Sequence, residues 1–123
     1  MKRVITALRK AALAYPETHE DHPWGETAFK VKGKVFCFLG QDAEETRFTF
    51  KLPQGRHFAL LLPFAKPTAY GLGKSGWITC TFDGKEPVPL PMLLDWLNES
   101  FRAVAPKKLA ATVAPRKAGV RSR

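Results

Sequence analysis

The chain has 123 residues, 45% of them hydrophobic, and sets 20 Lys and Arg against 11 Asp and Glu for a formal charge of +9. That length supports a single core without disulfides, and no apolar run reaches the length of a membrane span. The charge is uneven. Lys107, Lys108, Arg116, Lys117, Arg121 and Arg123 fall in residues 105–123, which hold no acid, and the rest of the chain carries only +3. The folded part is therefore not strongly basic as a whole, while the tail either contacts phosphates non-specifically or keeps the protein soluble.

From Val4 the apolar residues Val4, Ile5, Leu8, Ala11, Ala12 and Tyr15 recur at helical spacing. The residue before a proline is pushed out of the helical region, so Pro16 ends a helix over residues 2–14. The start is basic but has no uninterrupted apolar segment of the signal-peptide kind, and the expected compartment is the cytoplasm. Glu17 to Gly25 is polar, punctuated by Pro23 and Gly25, and reads as a connection.

Thr27 to Leu39 reads as a hairpin. Two runs rich in aromatic and β-branched residues flank Lys32-Gly33, a pair suited to a tight turn. With those two residues at the turn, Val31 opposes Lys34 and Phe29 opposes Phe36. Phe29, Val31, Phe36 and Phe38 then line one face, and Ala28, Lys30, Val35, Cys37 and Leu39 the other. The second strand is apolar on both faces, which marks an interior strand.

Gly40-Gln41-Asp42 signals a turn, and Thr46 to Lys51 alternates, with Phe48 and Phe50 inward and Arg47, Thr49 and Lys51 outward. Pro53 opens a short helix of about two turns that Pro63 ends. Trp77 to Phe82 is a strand with Ile78, Cys80 and Phe82 inward and Trp77, Thr79 and Thr81 outward. Leu90, Leu93, Leu94, Leu97, Phe101 and Val104 predict a helix that ends near Ala105-Pro106. The order α-β-β-β-α-β-β-α is that of an α+β domain over residues 1–106, with helices on one face of an antiparallel sheet. Residues 107–123 read as a basic, disordered tail, with at most one extra turn around Lys107 to Leu109.

Three segments carry a family resemblance: His-Glu-Asp-His-Pro-Trp-Gly-Glu-x-x-Phe-Lys-Val-x-Gly-Lys-Val-Phe at 19–36, Lys-Pro-Thr-x-Tyr-Gly-Leu-Gly-Lys-Ser-Gly-Trp-Ile-Thr at 66–79, and the Leu-rich helix ending in Ser-Phe-Arg at 100–102. Together they resemble the MmcQ/YjbR family up to about Leu109. The resemblance implies a two-layer α-β(3)-α-β(2)-α fold with a five-stranded sheet, similar in topology to secretion chaperones. It also implies DNA binding by a double-wing arrangement of hairpins, an assignment made by fold and without chemistry.

The outward positions give the candidate site. Lys30, Arg47, Lys51 and Trp77 share the face away from the helices, and Lys32, Lys34 and Lys74 sit at hairpin tips. Cations contact phosphates and an indole stacks on a base, a combination by which sheets bind single strands. The plain alternative is a solvated sheet face, where Lys and Thr are expected in any case.

Gly71-Leu72-Gly73-Lys74-Ser75 is not a phosphate loop, because Thr68 stands where the motif needs Gly and a strand follows where it needs a helix. His19, Glu20, Asp21 and His22 lack the spacing of a zinc helix. Cys37 and Cys80 belong to no CxxC pair and read as buried thiols. Cys37 and Ser75 lack the surroundings of a nucleophile. The expectation is therefore no enzyme, no metal, no cofactor, and nucleic acid as the partner. Two other readings stand beside it: a protein-interaction module or homodimer, with the open sheet face or an exposed Trp96 side as the interface, and a small-molecule pocket near Trp24, Tyr70 and Trp77.

Overall fold

The computed structural model describes residues 1–116, and for Trp24 the backbone alone. The first helical stripe forms α1 (Lys2–Ala14), and Tyr15, held extended before Pro16, ends it. The strands are β1 (Thr18–Asp21), β2 (Thr27–Val31), β3 (Lys34–Gln41), β4 (Thr46–Lys51), β5 (Ala65–Pro67) and β6 (Trp77–Phe82). A one-turn helix α2 (Arg56–Ala59) follows β4, and α3 (Leu90–Val104) and α4 (Lys107–Ala111) follow β6. The sheet is antiparallel with the order β1-β2-β3-β4-β6-β5.

The sheet therefore has six strands rather than five. The additional one is β1, in the polar stretch read as a connection: Thr18 to Asp21 pair with Val31 to Ala28 at the sheet edge. A polar edge strand carries no alternating apolar signal, since its outer flank meets water. The helix after Pro53 is shorter than expected. Its N-terminal amides are met by α3, where the Glu99 carboxylate accepts from the N–H groups of Gln54 (2.7 Å) and Gly55 (3.0 Å).

Lys32 (φ 51°) and Gly33 (φ 81°) both lie in the left-handed region and form the predicted two-residue turn. Val31 opposes Lys34, as expected, but the register then shifts, so that Phe29 opposes Cys37 and not Phe36. Phe36 is the extra residue of a β-bulge, and beyond it every side chain changes face. Phe36, Cys37 and Leu39 are buried with Phe29 and Val31 in the core, whereas Phe38 belongs to the other face. This overturns the sequence placement of Phe38, Cys37 and Leu39.

On the helix side the core joins these residues to Phe48, Phe50, Ile78, Cys80 and Phe82 of the sheet, Leu8 of α1, and Leu93, Leu97 and Phe101 of α3. Tyr15 stacks on Phe101 (centroids 4.6 Å apart), and Phe36 meets Phe101 edge-on at 5.3 Å. Residues 107–116, expected to be disordered, instead return along α3. Asn98 donates from Nδ2 to the Ala114 carbonyl (3.1 Å) and accepts at Oδ1 from the Arg116 N–H (2.8 Å). Arg116 Nε reaches Asp95 Oδ1 at 2.7 Å, and Arg102 donates to the Val113 carbonyl. These buried polar groups on α3 need partners, and the segment supplies them. Lys117, Arg121 and Arg123 lie outside the described residues.

Candidate functional site

Strand alternation and the β4–β6 register bring Arg47, Thr49 and Lys51 beside Thr81, Thr79 and Trp77 on the face that no helix covers. Phe38 of β3 opposes Thr49 and packs on Trp77, with centroids 5.8 Å apart. Trp77 is half-buried there rather than interior. The bulge in β3 accounts for Phe38 on this face, which strict alternation places in the core.

The predicted cations divide into two groups. Lys30 Nζ lies 2.9 Å from Asp21 Oδ2, Lys32 Nζ 2.7 Å from Glu17 Oε1, and Arg47 Nη1 3.1 Å from Asp42 and 2.9 Å from Glu45. The hydrogen bond from Lys30 holds Asp21 below the usual carboxylate range. The backbone N–H groups of Glu44 and Glu45, and then Arg47, do the same for Asp42. The second group, Lys34, Lys51 and Lys74, has no carboxylate within ion-pair distance among the described residues.

These three lysines also share an end of the sheet. Lys51 opposes Trp77, Lys34 adjoins the β2–β3 turn at that end, and Lys74 lies in the 3-10 turn just before Trp77. Arg47 is four residues back along β4, about 13 Å away, so the structure separates it from the lysine end. A buried hydroxyl fixes that end. Ser100 Oγ of α3 accepts from the Lys51 N–H (2.8 Å) and donates to the Phe36 carbonyl at the bulge.

Towards the Arg47 end the face sinks into a depression of about 460 Å³, lined by Phe38, Gly40, Arg47 and Thr49 and by the 66–72 segment. Sequence reasoning missed its floor. A Cβ on Gly40 would lie 2.7 Å from Glu26 Oε2 and 3.1 Å from Arg47 Nη2, so glycine here lets a carboxylate and a guanidinium close over β3. Beside them Thr49, Thr79 and Thr68 form a hydroxyl chain with 3.0 Å links. Two bonds use two of the three O–H groups, which leaves one O–H for a ligand or water. Lys66 and Tyr70 line the rim, and Tyr70 is 100% exposed. Of the residues expected to make a small-molecule pocket, Tyr70 lines this depression, Trp77 abuts it through Phe38, and the Trp24 side chain lies outside the described residues.

The remaining candidates have structural surroundings. Gly71 (φ 79°) and Gly76 (φ 92°) bracket the 3-10 turn Leu72–Ser75, and β6 follows it. His22 Nε2 lies 2.8 Å from Glu20, which also meets Arg9 of α1. Cys37 and Cys80 are buried, and burial raises both thiols, Cys80 to about 12. Trp96 is only 6% exposed and packs near Phe50 and Phe64, so it is not a partner surface. Its place off the Leu94 stripe misled because α3 is covered on more than one side, by the sheet, α1 and α4. Among the described residues no helix is long and apolar enough to cross a membrane, and no group of three or more His, Cys, Asp or Glu is placed to hold a metal.

A family model described as YjbR matches residues 13–103, well over half of the chain. The chain belongs to the YjbR family. Among solved structures it is similar to the Deinococcus radiodurans protein DR2400, which carries a DUF419 domain. That match has 26% identity and a TM-score of 0.64 and covers 81% of this chain and 77% of that one. No curated protein matches the chain. Neither name states a ligand or a reaction, and α4 with the Arg116 contacts lies beyond the family match.

Proposed function

We propose that the protein binds single-stranded nucleic acid across the uncovered face of its sheet. One observation carries this reading: Lys51 and Lys74, without counter-ions among the described residues, flank Trp77 at one end of that face, and Lys34 adds a third such cation at the β2–β3 turn of the same end. Phosphates there meet cations that no carboxylate neutralises, and a base stacks on the indole. Lys30, Lys32 and Arg47, already ion-paired, contribute little to a polyanion's affinity. A single strand suits this reading, because a base must leave a duplex stack before it can lie on the indole.

Fluorescence anisotropy of a labelled oligothymidylate tests the reading. Three phosphate contacts give a plot of log affinity against log salt with a slope of about −2. Replacing Lys34, Lys51 and Lys74 together by Gln flattens that slope, and replacing Lys117, Arg121 and Arg123 by Gln leaves most of it. If the tail substitutions alone abolish binding, the sheet face is not the platform.

A further inference from the structure

We infer that the depression beside Gly40 is a guanine pocket for one base of the bound strand, an inference that rests on the strand-binding reading above. The depression, about 460 Å³, is within the usual range for small-ligand sites. Its distinguishing feature is an acceptor next to a donor. Glu26 Oε2 and Arg47 Nη2 lie within 2.7 and 3.1 Å of the same point, the position a Gly40 Cβ would take. Arg47 Nη1 is held by Asp42 and Glu45, which fixes the guanidinium and leaves Nη2 over β3. The Glu26 carboxylate has no hydrogen bond or ion pair among the described residues.

A carboxylate accepts two parallel hydrogen bonds. Guanine alone among the common bases offers two adjacent donors, N1–H and the N2 amine, with the O6 and N7 acceptors alongside. Adenine and cytosine present one amine, and thymine places two carbonyl oxygens beside its single N–H, facing the carboxylate. Arg47 Nη2 and the unused threonine O–H supply donors for O6 and N7. The rings of Phe38 and Tyr70 border the base plane, and Phe38 touches Trp77, so a base here neighbours a base stacked on the indole.

The test uses the full chain and labelled oligothymidylate strands that carry one guanine, one inosine or one adenine. Inosine lacks only the N2 amine. The guanine strand binds about tenfold tighter than the other two, the discrimination of one bidentate contact. Glu26→Gln removes that preference and leaves the all-thymine affinity and its salt slope unchanged. Gly40→Ala, whose new methyl displaces the Glu26 carboxylate, does the same. Equal affinity for all three strands overturns the pocket while the platform stands. If no strand binds, the platform fails, and guanosine monophosphate titrated alone decides the pocket: binding lost in Glu26→Gln sustains it, and no binding overturns it.

Discussion

Ser100 shows how one hydroxyl sets the geometry of a binding face. The bulge at Phe36 lies in the β2–β3 pair, and the β3–β4 ladder ends at Cys37 and Phe50, so the Phe36 carbonyl and the Lys51 N–H just beyond it turn to a side chain. Ser100, fully buried, meets both from α3. Ser100→Ala abandons two buried backbone groups, and each such group costs about 1–3 kcal/mol. Urea unfolding of this variant will show a loss of at least about 1 kcal/mol with an unchanged m-value. A loss within error would mean that water replaces the hydroxyl.

At the scale of elements, the β3–β4 turn organises the other end of the face. Asp42 accepts from the Glu44 and Glu45 N–H groups at 2.8 and 2.9 Å and holds Arg47. The folded pKa of Asp42 lies below its unfolded value, so the turn's contribution is fully present above the ordinary Asp value of about 3.9 and is lost as pH falls through the folded pKa. An NMR titration will find the Asp42 carboxyl below about 3.9. Arg47→Ala will raise it only in part, because the Glu44 and Glu45 N–H groups still donate to the carboxylate. A normal Asp42 titration would remove the support proposed for Arg47.

The same scale decides what the sequence could tell. The bounds of α1, the Lys32-Gly33 turn and the inward faces of β4 and β6 were legible because each follows from local spacing or backbone preference. The bulge at Phe36 was not, since Val-Phe-Cys-Phe-Leu is apolar whichever face each residue takes, and the register is settled only by what packs on it. Of the candidate site, the outward faces of Lys51 and Trp77 were legible from alternation, though not their pairing, and Lys34 and Lys74 from their turns. The ion pairs of Lys30 and Lys32 were not, because Asp21 and Glu17 reach them from β1 and the residue before it, in a stretch with no strand signal, and those of Arg47 depend on how the β3–β4 turn folds Asp42 and Glu45 back onto it. The depression was hidden for a similar reason: Glu26, Gly40 and Thr68 are far apart in the chain and meet only through strand order.

Over the whole molecule, two basic regions compete for any polyanion. One is the lysine end of the uncovered face. The other is the C-terminal stretch, in which Lys107 and Lys108 of α4 are exposed. α4 packs on α3, and α3 lies against β3 and β4 on the opposite, helix-covered side of the sheet. A strand seated on the platform therefore leaves α4 untouched. Backbone NMR spectra of the full chain, recorded with increasing oligothymidylate at moderate salt, will shift Lys34, Phe38, Lys51, Thr79 and the residues around Lys74 and Trp77. Leu109, Ala110 and the exposed side of α1 will remain in place. Long-range attraction between exposed charges fades over about 8 Å at physiological ionic strength, so raising the salt will sharpen this contrast. Shifts that centre on Lys107 and Lys108 and vanish with salt would show a charged tail attracting a polyanion, with no part played by the sheet.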